Sequence, residues 1–155
     1  METPFVTLKL TGLKKRGETF LIWKLSVCPE FLSNGKWKIK INGVSFNNVK
    51  HKDQDLENLW SFNTKLKLEI SSNFTKEDYY WYSKIDSNEN GSNIMEMFEI
   101  DFNRTTSYIK FSNMWRPVNH PTNTFQLELA SQTDLYKLDE FEFEASVLLS
   151  FWKES

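Results

Sequence analysis

The chain has one cysteine, Cys28, so it cannot close an internal disulfide, and no Cys/His zinc pattern is available. Its two histidines, His51 and His120, stand without the acid, base and nucleophile companions that hydrolytic chemistry requires. No phosphate loop, dinucleotide fingerprint or metalloprotease helix motif occurs, and no catalytic, cofactor or metal residues are assigned. Apolar runs are short, and none reaches the roughly 18 residues of a membrane helix. Charge of one sign is also scarce. Nineteen basic residues against 21 acidic ones leave a formal net charge of -2, without the strong positive field of a dedicated nucleic-acid binder. The opening Met1-Glu2-Thr3-Pro4-Phe5 carries an acid where a secretory signal has basic residues. The expectation is a non-enzymatic protein of a reducing compartment, with no cofactor, no nucleic acid and no membrane among its partners. Three Asn-X-Ser/Thr triplets, at Asn73, Asn90 and Asn103, are incidental in so Asn-rich a chain.

Aromatics, by contrast, are abundant: 15% of 155 residues, with 13 Phe and 6 Trp, enough apolar surface to offset the entropy of ordering the chain. Their spacing has period two, which places alternate side chains on opposite faces of a strand. Val6, Leu8 and Leu10 form one series, and Leu21, Trp23, Leu25 and Val27 another, after a turn-like Lys14-Lys15-Arg16-Gly17. Trp37, Ile39 and Ile41 alternate with Lys36, Lys38 and Lys40. Asn42-Gly43 then predicts a tight two-residue hairpin turn before Val44 and Phe46,. Leu66, Leu68 and Ile70 follow, then the run Tyr79-Tyr80-Trp81-Tyr82, a polar tract over 86–93, and Phe98, Ile100 and Phe102. Ile109 and Phe111, then Phe125, Leu127 and Leu129, continue the pattern. The clearest strand carries Phe141, Phe143, Ala145, Val147, Leu149 and Phe151 on one face and Glu140, Glu142 and Glu144 on the other. Helix is confined to a turn around Gln54 to Trp60. Eight to ten such strands predict an all-β fold: two antiparallel sheets packed face to face as one jelly roll over residues 1–155. An immunoglobulin-like sandwich is the alternative, without that fold's Cys-Trp-Cys pattern.

Three side-chain groups stand out. Glu140, Glu142 and Glu144 lie about 7 Å apart along one strand face, the arrangement of a solvated or salt-bridged surface rather than a catalytic pair. Lys36, Lys38 and Lys40 form the matching basic row, and the two rows are expected to pair across strands or across a subunit boundary. Tyr80 and Tyr82 join them as candidate interface residues, because tyrosine is enriched at contact hot spots. Trp81 and Trp115 would instead form a stacking platform if the chain were a lectin-like, carbohydrate-binding sandwich. His51, among lysines and aspartates, and His120, in Asn119-His120-Pro121, read as solvated loop positions.

Two stretches resemble the single jelly-roll, penton-like minor capsid proteins of Polinton/Maverick elements, adintoviruses and related viruses. The first comprises Thr19 to Leu25, Leu32 to Ile41 and Val44 to Val49; the second comprises Arg116-Pro117-Val118, Thr124 to Leu129 and Phe141 to Lys153. Residues 50–115 match by strand pattern alone, and the resemblance carries no site residues. It implies a structural viral or virus-derived protein of the virion or the host-cell cytoplasm or nucleus. Such a protein would assemble as a homo-oligomer, a pentamer at capsid vertices, beside a major capsid protein. Closed cyclic symmetry would then need two different complementary patches on each subunit.

Overall fold

The computed structural model describes residues 5–25, 30–33, 35–51, 54–55, 65–72, 93–102, 108–111, 115–118, 125–132 and 138–154. The alternating series become strands: β1 (Phe5–Lys14), β2 (Phe20–Leu25), β3 (Trp37–His51), β4 (Gln54–Asp55), β5 (Lys65–Ser72), β6 (Asn93–Asp101), β7 (Tyr108–Lys110), β8 (Arg116–Pro117), β9 (Phe125–Ser131) and β10 (Phe141–Lys153). A short 3-10 turn, Glu30–Ser33, precedes β3. At 54–55, where a helical turn was expected, the chain makes a two-residue bridge to β3.

Every ladder is antiparallel. One sheet runs β1-β10-β3, with β4, β7 and β8 along the far edge of β3; the other runs β2-β9-β5-β6. With β7 and β8 taken as two pieces of one broken strand and the β4 bridge set aside, eight strands remain. They pair first with last, second with seventh, third with sixth and fourth with fifth, which is a long hairpin rolled into two sheets. That is a jelly roll. Inward residues from both sheets fill the space between them. Phe46, Phe102, Phe141 and Phe143 make one ring cluster with centroids 5.0 to 5.6 Å apart. Phe31, Trp37, Phe125 and Phe151 make a second, at 5.0 to 6.0 Å. Trp23 on β2 is buried and donates its Nε1–H to the Ala145 carbonyl of β10 at 3.0 Å, tying one sheet to the other.

The hairpin expected at Asn42-Gly43 is absent, because β3 runs through it for 15 residues. Gly43 pairs with Leu148 and Ile41 with Leu149, so Asn42 is the extra residue of a β-bulge,. The bulge shifts the inward phase from Trp37, Ile39 and Ile41 to Val44 and Phe46, and it keeps both halves of the strand packed on the core. Asn42 is satisfied at both ends: its Nδ2 donates to Ser150 Oγ at 2.5 Å and its carbonyl accepts the Phe111 N–H at 2.9 Å. A second shift lies opposite Glu142 and Glu144, where Asn48 takes a φ of 54°, a left-handed conformation that asparagine tolerates.

Lys14, expected in a turn, is the last residue of β1 and faces inward, fully buried. Its ammonium donates to the carbonyls of Leu138 and Phe141 at 2.5 and 2.6 Å. Burial pushes its pKa down from 10.5 to about 8, against the raising influence of Asp139, Glu18 and Glu142. Between those two values the unfolded chain holds more protons than the folded one, so stability rises with pH across that window. The slope approaches about 1.4 kcal/mol per pH unit. Urea denaturation should therefore show wild type gaining on Lys14→Met from pH 8 to 10.5; a constant difference would show that Lys14 is not strained by its charge.

Candidate functional site

The outer face of the β1-β10-β3 sheet is set by the same alternation that builds the core. Phe151 and Ile39 point inward, so Trp152 and Lys38 point outward. Register then assembles rows across four strands: Phe5, Trp152, Lys38 and Pro117; Thr7, Ser150 and Lys40; and Lys9, Leu148, Gly43 and Lys110. Trp115, just before β8, joins this face. Its ring lies 4.8 Å from Lys40 Nζ, 6.2 Å from the Phe5 ring at 79°, and 6.3 Å from the Trp152 ring at 50°. Lys38 Nζ sits 5.5 Å over Trp152 and 3.2 Å from Glu154 Oε1. Each half-exposed cation–ring contact contributes about 0.5–1 kcal/mol, enough to hold the lysines in place without neutralising them. Behind this face, Arg116 is partly buried and donates to the Met95 carbonyl at 3.3 Å, and burial lowers its pKa from the ordinary guanidinium value.

The two charged rows lie at opposite ends of the β3–β10 ladder and do not pair with each other within the chain. Lys40 is opposite Ser150 and Glu144 opposite Asn47, which separates the rows by about 20 Å of strand. Glu142 faces Lys50 instead. Glu140 Oε2 is 2.8 Å from His51 Nε2. His51 is therefore not a solvated loop residue: it closes β3, buried, with its ring 5.0 Å from Phe141. Lys36 precedes β3, and its carbonyl accepts the Glu154 N–H at 2.8 Å. Tyr80, Trp81, Tyr82, His120 and Cys28 lie outside the described residues. Among the described residues no group of three or more His, Cys, Asp or Glu could hold a metal.

Alternation at the sheet edges exposes large apolar side chains. β1 and β2 form the edges on one side of the sandwich, where a Cβ at Gly12 would touch Leu21 at 3.1 Å. There Phe5 and Leu13 are more than half exposed, and Phe20 and Ile22 are exposed on the other sheet. On the opposite side, β6 and β7 carry exposed Met97 and Tyr108. Phe5, Lys9, Lys110 and Trp152 belong to this face without any sequence motif that singles them out. For Trp152 a signal existed, since it falls on the outward phase of β10.

Fold and surface together define an all-β jelly-roll sandwich with exposed apolar edges and one outer face rich in lysine and aromatic rings. Neither protein-family profiles nor curated proteins match the chain. Among solved structures, a chain from the X-ray structure of tomato aspermy virus is similar at a TM-score of 0.34 and 10% identity, covering 95% of this chain and 76% of that one. A likeness at that level decides neither fold nor function.

Proposed function

We propose that this chain is a structural, non-enzymatic capsid component of the penton-like minor type, which closes into a ring of copies and abuts a major capsid protein. The observation that carries this reading is the pair of unlike apolar edges, Leu13, Phe20 and Ile22 on one side and Met97 and Tyr108 on the other. A cyclic ring needs two different patches on each subunit, one for each neighbour. Exposed apolar residues grouped at strand edges mark association surfaces. The jelly roll adds an analogy only, since it serves capsid and lectin domains alike.

Light scattering over a range of protein and salt concentrations tests the proposal. Wild type should give a closed oligomer near five copies, as the resemblance to penton-like proteins implies. Phe20→Asp and Met97→Asp should each be monomeric, and their mixture should stop at dimers, because each keeps one intact edge. A wild type that stays monomeric throughout, or a Met97→Asp variant that still assembles, overturns it.

A further inference from the structure

The geometry points to a binding face for single-stranded nucleic acid on the outer surface of the β1-β10-β3-β7/β8 sheet. The near-neutral net charge of -2 averages over two unlike ends of that sheet. At one end Lys9, Lys38, Lys40 and Lys110 share the outer face, and among the described residues of those rows and the adjoining chain end the acid is Glu154. The carboxylates are at the other end, with Glu140 on His51 and Glu142 opposite Lys50.

Interleaved with the lysines are flat rings, Phe5 and Trp152, each against Trp115. Phe5 is 58% exposed. Cations beside exposed rings match a single-stranded nucleic acid, which brings one phosphate and one stackable base per residue. A second copy of this chain is a poorer match, because Glu140 of its acidic row is already held by His51 at 2.8 Å. This inference does not rest on the assembly proposal.

The test is fluorescence anisotropy of the full chain with a labelled oligothymidylate of about 16 nucleotides, with inorganic polyphosphate as competitor. Binding should appear at low salt, quench tryptophan fluorescence and weaken linearly in log K against log salt. The salt slope should fall by about 1.4 in Lys38→Ala/Lys40→Ala, from about 0.7 per lost phosphate contact. Lys9→Ala/Lys110→Ala, at fully surface positions, should lower it likewise. Phe5→Ala should weaken binding about tenfold with the slope unchanged, as loss of one stacked base requires, and Glu142→Gln should bind as wild type. No binding at low salt overturns the inference. So does polyphosphate competing as well as the oligonucleotide with no quenching, which would mark a general anion surface. So does an altered oligomer mass in Lys38→Ala/Lys40→Ala without any oligonucleotide binding, which would make this face a contact between copies.

Discussion

Trp23→Ala should leave the protein close to unfolding at ambient temperature. Trp23 is 1% exposed in β2, touches the β1 backbone near Gly12, and donates across the core to the Ala145 carbonyl. Truncating so large a buried ring costs roughly 3–5 kcal/mol, against a total stability of about 5–15 kcal/mol for a domain. Trp23→Phe separates the two contributions. It retains most of the apolar volume and removes the N–H, so its cost should be nearer the roughly 1–3 kcal/mol of an unsatisfied buried acceptor. Denaturant unfolding of both variants gives the comparison. A loss below about 1 kcal/mol for Trp23→Ala would mean that the indole does not join the two sheets as described.

The second large effect belongs to Gly43. A Cβ there would stand 2.6 Å from the Ile109 carbonyl oxygen and would run into the Tyr108 phenol ring. The ring is the far end of a side chain and is able to swing away; the carbonyl is β7 backbone and is not. Gly43→Ala should therefore cost about 1–3 kcal/mol, the range for overpacking, and Gly43→Val more. Adding Tyr108→Ala should recover part of that loss and leave the backbone part. Full recovery would place the whole clash in the ring, and a neutral Gly43→Ala would show that β7 does not press on β3. Because Tyr108 lies on one lateral edge, the same substitution should also weaken assembly in the light-scattering experiment.

Much of this fold is legible in the residues. The inward series of β2, β5, β9 and β10 appear in the sequence as period-two alternation, since each of those strands buries one face. The sequence misleads where a local signal competes with the global one. Asn-Gly is a strong hairpin dipeptide, but apolar residues at 37, 39 and 41 and then at 44 and 46 change parity by a single step. One bulged residue inside a continuing strand accommodates that step, and burial on both sides decides for the strand. Lys14 shares the parity of Leu10, so its inward position was written in the phase; its charge, and the apolar Leu13 beside it, pointed the other way. The lysine–aromatic face was half legible. Lys38 and Lys40 stood out, but joining them to Phe5, Trp115 and Trp152 requires three strand registers that composition and spacing do not contain.

The pairing of first strand with last also governs how the fold is reached. Phe5 pairs with Trp152, and β10 lies in the middle of its sheet, between β1 and β3. Until residues 141–153 are made, β1 and β3 therefore lack the strand that pairs with both of them. Local contacts do little to seed such a topology, and chains dominated by non-local pairing fold in milliseconds to seconds rather than microseconds. During that interval the inward faces of β1 and β3 are open to neighbouring chains, so the growing polypeptide meets its greatest aggregation hazard just before β10 is complete.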